Sequence, residues 1–177
     1  MTNPWHDISP GEHAPQRVNA IIEIPKDSKG KYELHKESGL LMLDRALFSA
    51  VHYPANYGFI PRTYCDDNDP LGILVLTSLT LPHLCLVDAT VIGVMRMVDQ
   101  GEADDKIIAV ATFDESVNHI KDISDLAPHT EKQILRFFMD YKTLEGKEVK
   151  VEKFLGREEA LRIVQESIEL YVRTFGA

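Results

Sequence analysis

Through the first two-thirds of the chain, apolar residues fall in short alternating or continuous runs; spacings of three and four appear only towards the end. Runs of the first kind predict strands, and the late spacing predicts helices with one buried face. Val18, Ala20, Ile21, Ile22 and Ile24 predict a strand closed by Pro25. A turn at Asp27-Ser28-Lys29-Gly30 leads into the alternation of Lys31–His35, and Ser38-Gly39 turns the chain into Leu40–Leu43. Gly72–Thr77, Lys106–Ala111 and Glu148–Lys153 predict further strands, while Leu84–Met97 holds one long strand or two, with Gly93 as a bulge or bend. Residues 1–16, rich in Pro, His and Gly, read as a surface arm.

Thr130-Glu131-Lys132-Gln133 has the form of a capping box, followed at helical spacing by Ile134, Phe137, Phe138 and Tyr141. A last helix is predicted from about Arg157 to Phe175, with a stripe of Leu161, Val164, Ile168, Tyr171 and Phe175. Strands first and two helices afterwards predict an α+β fold, a small closed β-barrel with two main helices packed outside. No repeat, low-complexity tract or linker divides the 177 residues, so one domain over 1–177 is expected.

Composition narrows the function. Hydrophobic content of 44% and charged content of 27% are those of an ordinary globular protein. No apolar run is long enough to span a bilayer and the start lacks a leader pattern, so a cytoplasmic protein without a membrane partner is expected. A net charge of −9 argues against a nucleic-acid partner but not against a small anion, because bound divalent ions reverse the local field. Cys65 and Cys85 are too few for a disulfide framework and are expected as buried or half-buried thiols.

Candidate chemistry gathers where Asp66-Asp67-Asn68-Asp69-Pro70 runs into the apolar Leu71–Leu76. Crowded carboxylates at the mouth of a core repel one another unless they are solvated or share a hard cation, so this junction points to a divalent metal. Other segments also set unusual polar residues beside apolar ones. Glu23 ends a strand, Lys31 and Glu33 share a strand face, and Arg45 follows Asp44. His52–Gly58 is rich in aromatics for an exposed loop, Asp99, Asp104 and Lys106 surround Gly101, and Tyr141-Lys142 ends the first helix. Taken singly, each is more simply a surface charge, a helix-end cation or a core aromatic.

Together they resemble the soluble inorganic pyrophosphatases of the first family. That family's signature Asp-x-Asp-Pro-x-Asp is matched from Asp67 to Gly72 except at its last place. Glu23-Ile24-Pro25, Lys31-Tyr32-Glu33, Ser38-Gly39, Asp44-Arg45, Tyr53-Pro54 and Asn56-Tyr57-Gly58 follow the family's order. So do Met97-x-Asp99, Asp104-x-Lys106, His119–Asp122, Phe137-Phe138 and Tyr141-Lys142, over about residues 17–172. The resemblance implies a barrel related to the oligonucleotide-binding fold, Mg²⁺ as cofactor, and hydrolysis of pyrophosphate to two phosphates in a homo-oligomer, with a hexamer favoured. It implies that Asp67, Asp99 and Asp104 bind metal, that Glu23 holds a further cation, and that Asp69 accepts a proton from the attacking water. Lys31, Arg45, Tyr57, Lys106, Tyr141 and Lys142 are then expected to grip the phosphates.

The match breaks at Gly72, where the third signature aspartate is absent. Losing a carboxylate near the metal is expected to cost at least the 10–100-fold typical of an outer-shell partner. Two explanations stand: an impaired form of an ordinary pyrophosphatase, favoured because the other signature residues remain, or a homologue with altered metal use. His83–Gly93 and Glu152-Lys153-Phe154 also depart from the family's pattern, at positions expected to concern packing or subunit contact more than catalysis. The alternatives to an enzyme slowed by Gly72 are a non-catalytic binder of metal and pyrophosphate, and a phosphohydrolase acting on nucleotides or other diphosphates.

Overall fold

The computed structural model describes residues 1–177. In chain order the strands are β1 (Arg17–Ile24), β2 (Gly30–Leu34), β3 (Leu41–Ala46), β4 (Asn56–Phe59), β5 (Gly72–Leu76), β6 (Leu86–Asp99), β7 (Glu102–Ala103) and β8 (Lys106–Ala111). Helix α1 (Pro128–Asp140), strand β9 (Val149–Gly156) and helix α2 (Arg157–Phe175) complete the chain. Strands β1, β4, β5, β8 and β6 pair in that order, and β6 returns to β1, so five strands close a ring. Of these pairs only β5–β8 is parallel. Strands β7 and β9 add to β6, while β2 and β3 form a separate hairpin sheet. The expected α+β barrel with two outer helices is the fold observed.

Strand periodicity builds this directly. Along β5, Ile73 and Val75 join one apolar cluster with Ala160, Ile163 and Val164 of α2. Leu74 between them points the other way, into a second cluster with Ile134, Phe137 and Phe138 of α1. In β8, Ile107 and Ala109 likewise separate from Ile108 and Val110. Each helix thus seals one face of the same sheet.

One local reading holds and three need adjusting. The segment expected at 84–97 as one strand or two is one strand, Leu86–Asp99, whose pairing with β8 shifts register between Val91 and Gly93, the bulge expected at that glycine. A Cβ on Gly93 would meet both Ile123 Cβ and the Leu155 carbonyl oxygen at 2.8 Å, so close approach requires the glycine as well. Asn56–Phe59, assigned no element from sequence, is strand β4, because its ladders to β1 and β5 are tertiary and leave no alternation in four residues. Helix α1 begins at Pro128 rather than at the Thr130 box; proline's fixed φ suits the first helical turn, and Thr130 already donates its N–H to Ala127. Within the 1–16 arm, Trp5 is only 4% exposed, packed with Ile21, Leu34, Phe59 and Tyr171 and donating its indole N–H to Thr63.

Candidate active site

The acidic turn is shaped locally. Asn68 takes φ +64°, Cys65 and Asn68 close a tight turn, and the Asp69 N–H donates to Asp67 Oδ1 at 3.1 Å. Asparagine tolerates this left-handed conformation better than most residues. The turn delivers Asp67 and Asp69 to the start of β5. Strand β1 brings Glu23, β2 brings Lys31, β4 brings Tyr57, and the β6–β8 connection brings Asp99, Asp104 and Lys106. The end of α1 supplies Tyr141 and Lys142.

All of these side chains line one cavity of about 910 Å³. Arg45 does not. Its guanidinium instead pairs with Asp44 and Glu145.

Acids and bases inside the cavity are already partnered. Lys106 Nζ lies 3.0 Å from Asp104 Oδ1 and donates to the Tyr57 hydroxyl at 2.7 Å. Burial opposes the lysine's charge, but Asp104, Tyr57 and Tyr141 outweigh it and hold its pKa well above the usual value. Lys142 is bonded to Asp99, and Lys31 sits 3.4 Å from Glu33 and 3.3 Å from Asp44. Burial raises the pKa values of Tyr57 and Tyr141, so both phenols keep their protons at neutral pH and can donate.

Two carboxyls lack such a cation. Glu23, almost wholly buried, accepts the Leu34 N–H at 2.6 Å, and burial pushes its pKa up to about 7. Burial likewise raises Asp67 to about 6; the Asp69 N–H opposes this and the nearby Asp69 and Asp104 charges add to it. With Asp99 and Asp104 drawn towards lysines, no three carboxylates converge closely enough here to hold an ion. The donor set nonetheless fits a hard divalent cation: it is all oxygen, faces one cavity, and includes two desolvated carboxyls without an ion pair, Glu23 feeling Lys31 and Lys106, and Asp67 feeling Lys106, only beyond contact distance.

Glu23 yields a pH prediction. Its pKa is higher folded than unfolded, so its stabilisation is complete below about pH 4.3 and is lost as pH rises through about 7. Glu23→Gln keeps a neutral group of the same shape. The metal-free variant should therefore melt higher than the unsubstituted protein at pH 8, with little gain at pH 5. An equal gain at both would contradict the burial effect.

Gly72 lies beside Lys106 in the β5–β8 ladder. An added Cβ would meet the Tyr57 hydroxyl at 2.7 Å and Lys106 Cδ at 3.2 Å, so the phenol occupies the space where a side chain would start. Its φ is not left-handed, and the backbone does not require glycine.

Two contributors escaped sequence reasoning, and a third, Cys65, was expected only as a buried or half-buried thiol. Lys36, from the β2–β3 turn, pairs with Asp69 and donates to the Asn68 carbonyl at 3.1 Å. Glu145 engages Arg45. Cys65 lies under the acidic turn with its thiol pKa pushed by burial to about 12, too high to supply a thiolate at neutral pH. Only the acidic turn itself could have signalled Cys65; Lys36 and Glu145 are ordinary exposed charges in sequence.

The inorganic pyrophosphatase family model matches residues 20–172. The chain belongs to this family. It is 52% identical over 170 residues to soluble inorganic pyrophosphatase 2 of Chlamydomonas reinhardtii, covering 96% of this chain and 88% of that one. Soluble inorganic pyrophosphatase 1 of Arabidopsis thaliana is 51% identical over 169 residues, covering 96% and 80%. Among solved structures, the inorganic pyrophosphatase of Thermus thermophilus superposes with a TM-score of 0.93 at 38% identity, covering 96% of this chain and 99% of that one. Pyrophosphatase relatives thus match both the barrel and nearly the whole sequence, with the acidic turn, the β6–β8 acids and the end of α1 inside the matched region.

Proposed function

We propose that the chain hydrolyses inorganic pyrophosphate to two phosphates with Mg²⁺ as cofactor, at a rate lowered by Gly72. The observation that carries this reading is one cavity flanked by Glu23, Asp67, Asp99 and Asp104 together with Lys31, Lys106, Lys142 and two phenols. A densely anionic substrate suits such a site, and family membership supplies the reaction.

The four carboxylates would hold the metal, which when bound neutralises pyrophosphate and acidifies a coordinated water. Lys106, fixed in its charged form by Asp104, and the point charges of Lys31 and Lys142 bind phosphate oxygens. Tyr57 and Tyr141 donate hydroxyl hydrogens to the same oxygens. Asp69, with its side chain half exposed at the cavity mouth, accepts a proton from water. The water oxygen bonds to one phosphorus as the bridging P–O bond breaks, and that electron pair leaves with the second phosphate. Donors already in place meet the charge that develops there.

A homo-oligomer, with a hexamer favoured, and a cytoplasmic setting belong to the same proposal, as does the absence of a nucleic-acid partner for a chain of net charge −9. Phosphate release from pyrophosphate, nucleoside triphosphates and sugar diphosphates, each with Mg²⁺ and with chelator, tests the reading. Release from pyrophosphate alone, and only with Mg²⁺, is expected. Preferred release from a nucleotide would replace it with the broader phosphohydrolase, and tight pyrophosphate binding without any release would leave a binder.

A further inference from the structure

Arg45 is the one expected phosphate ligand held outside the cavity, and how it is held is informative. Its Nη1 donates to Asp44, and its Nε lies 2.9 Å from Oε1 of Glu145. Glu145 comes from the short turn after α1, far along the chain, and its side chain is only 5% exposed. The fit is poor for a buried ion pair. An arginine well matched to a carboxylate makes two parallel hydrogen bonds. Here Arg45 Nε and Nη2 and Glu145 Oε2 are all buried without a hydrogen-bond partner, which raises the free energy of the resting arrangement.

The strand pairing nevertheless sets Arg45 beside a residue that lines the cavity. It pairs directly across the β2–β3 hairpin with Lys31, and directly opposed residues project from the same face. Lys31 lines the cavity and also touches Asp44, the other carboxylate on Arg45. From that position, a change of side-chain rotamer alone would turn the guanidinium from the α1 side towards Lys31 and the cavity.

Resting on the reading of Arg45 as a phosphate ligand, we infer that Glu145 is a positioning residue that parks the Arg45 guanidinium beside the loop after α1. It releases the guanidinium to incoming phosphate, whose oxygens satisfy the donors that Glu145 leaves idle. Parking lowers the fraction of protein ready to bind, and apparent affinity falls by that fraction.

Titration calorimetry of the full chain with inorganic phosphate in Mg²⁺ tests this, with pyrophosphate turnover beside it. Glu145→Gln keeps the shape and removes the charge. It should tighten the phosphate dissociation constant by about threefold or more and lower KM for pyrophosphate alike, with kcat little changed. Glu145→Asp, which keeps the charge on a shorter arm, should fall between, and it serves if the glutamine form does not fold. Unchanged or weaker phosphate binding in whichever variant folds would overturn the parking role, since a merely structural Glu145 would shift the melting temperature without tightening binding. Arg45→Lys separates the two ideas. If it leaves phosphate affinity unchanged, Arg45 is no phosphate ligand and the underlying reading fails. If it weakens affinity while the Glu145 variants do not strengthen it, only the parking fails.

Discussion

Gly72→Asp should raise turnover of pyrophosphate at least about tenfold, because on the proposed reading it restores a carboxylate to the metal site. The gain is not sterically free. Its Cβ would begin 2.7 Å from the Tyr57 hydroxyl, so the phenol must shift and its contact with Lys106 must lengthen. Gly72→Ala separates steric cost from charge. It adds the same Cβ to a closely packed position, where overpacking costs about 1–3 kcal/mol, and offers the metal nothing. Alanine should lower the melting temperature and leave turnover unchanged or reduced, while aspartate raises it. Equal rates in the glycine and aspartate forms would remove Gly72 from the metal site.

Asp69→Asn should depress turnover by about 10²- to 10⁴-fold, the range for loss of a positioned general base, with KM changing far less. Asp69 is suited to the role because it sits at the cavity mouth, half exposed, where water reaches it. Its partner Lys36 gives the comparison. That pair is about half exposed on both sides, and such pairs contribute at most about 1 kcal/mol. Lys36→Ala should therefore cost less than about tenfold. A comparable loss from both variants, or an asparagine form that fails mainly in KM, would mean that Asp69 binds rather than accepts a proton.

How much of this was legible in the sequence depended on how local each determinant is. Strands β1, β5 and β8 announce themselves because their apolar residues are contiguous. Helix α2 does so because its stripe keeps helical spacing from Leu161 onward, although the residues it buries are Ala160, Ile163, Val164, Ser167 and Tyr171, and Phe175 is half exposed. Strand β4 was not legible: the features that read as a binding loop, Tyr57 and Gly58, sit in a strand because β1 and β5 flank it. The start of α1 went to Pro128 although Thr130 carried the more familiar signal. At the site, the expected residues on strand ends and the acidic turn share one cavity, a grouping the family pattern spans. Side-chain direction was not. Arg45 pairs with Lys31 as its position demands, yet its guanidinium is set by Glu145, which nothing near Arg45 in the chain reveals.

The most direct test of the whole account is calorimetric binding of pyrophosphate to the unsubstituted chain, with Mg²⁺ and then with chelator in its place, because it does not depend on how far Gly72 slows the reaction. Carboxylates that carry ions to a lysine- and tyrosine-lined wall predict strong binding with Mg²⁺, loss of most of it without, and the same loss in Asp104→Asn. Pyrophosphate bound equally well with and without the metal would contradict the account.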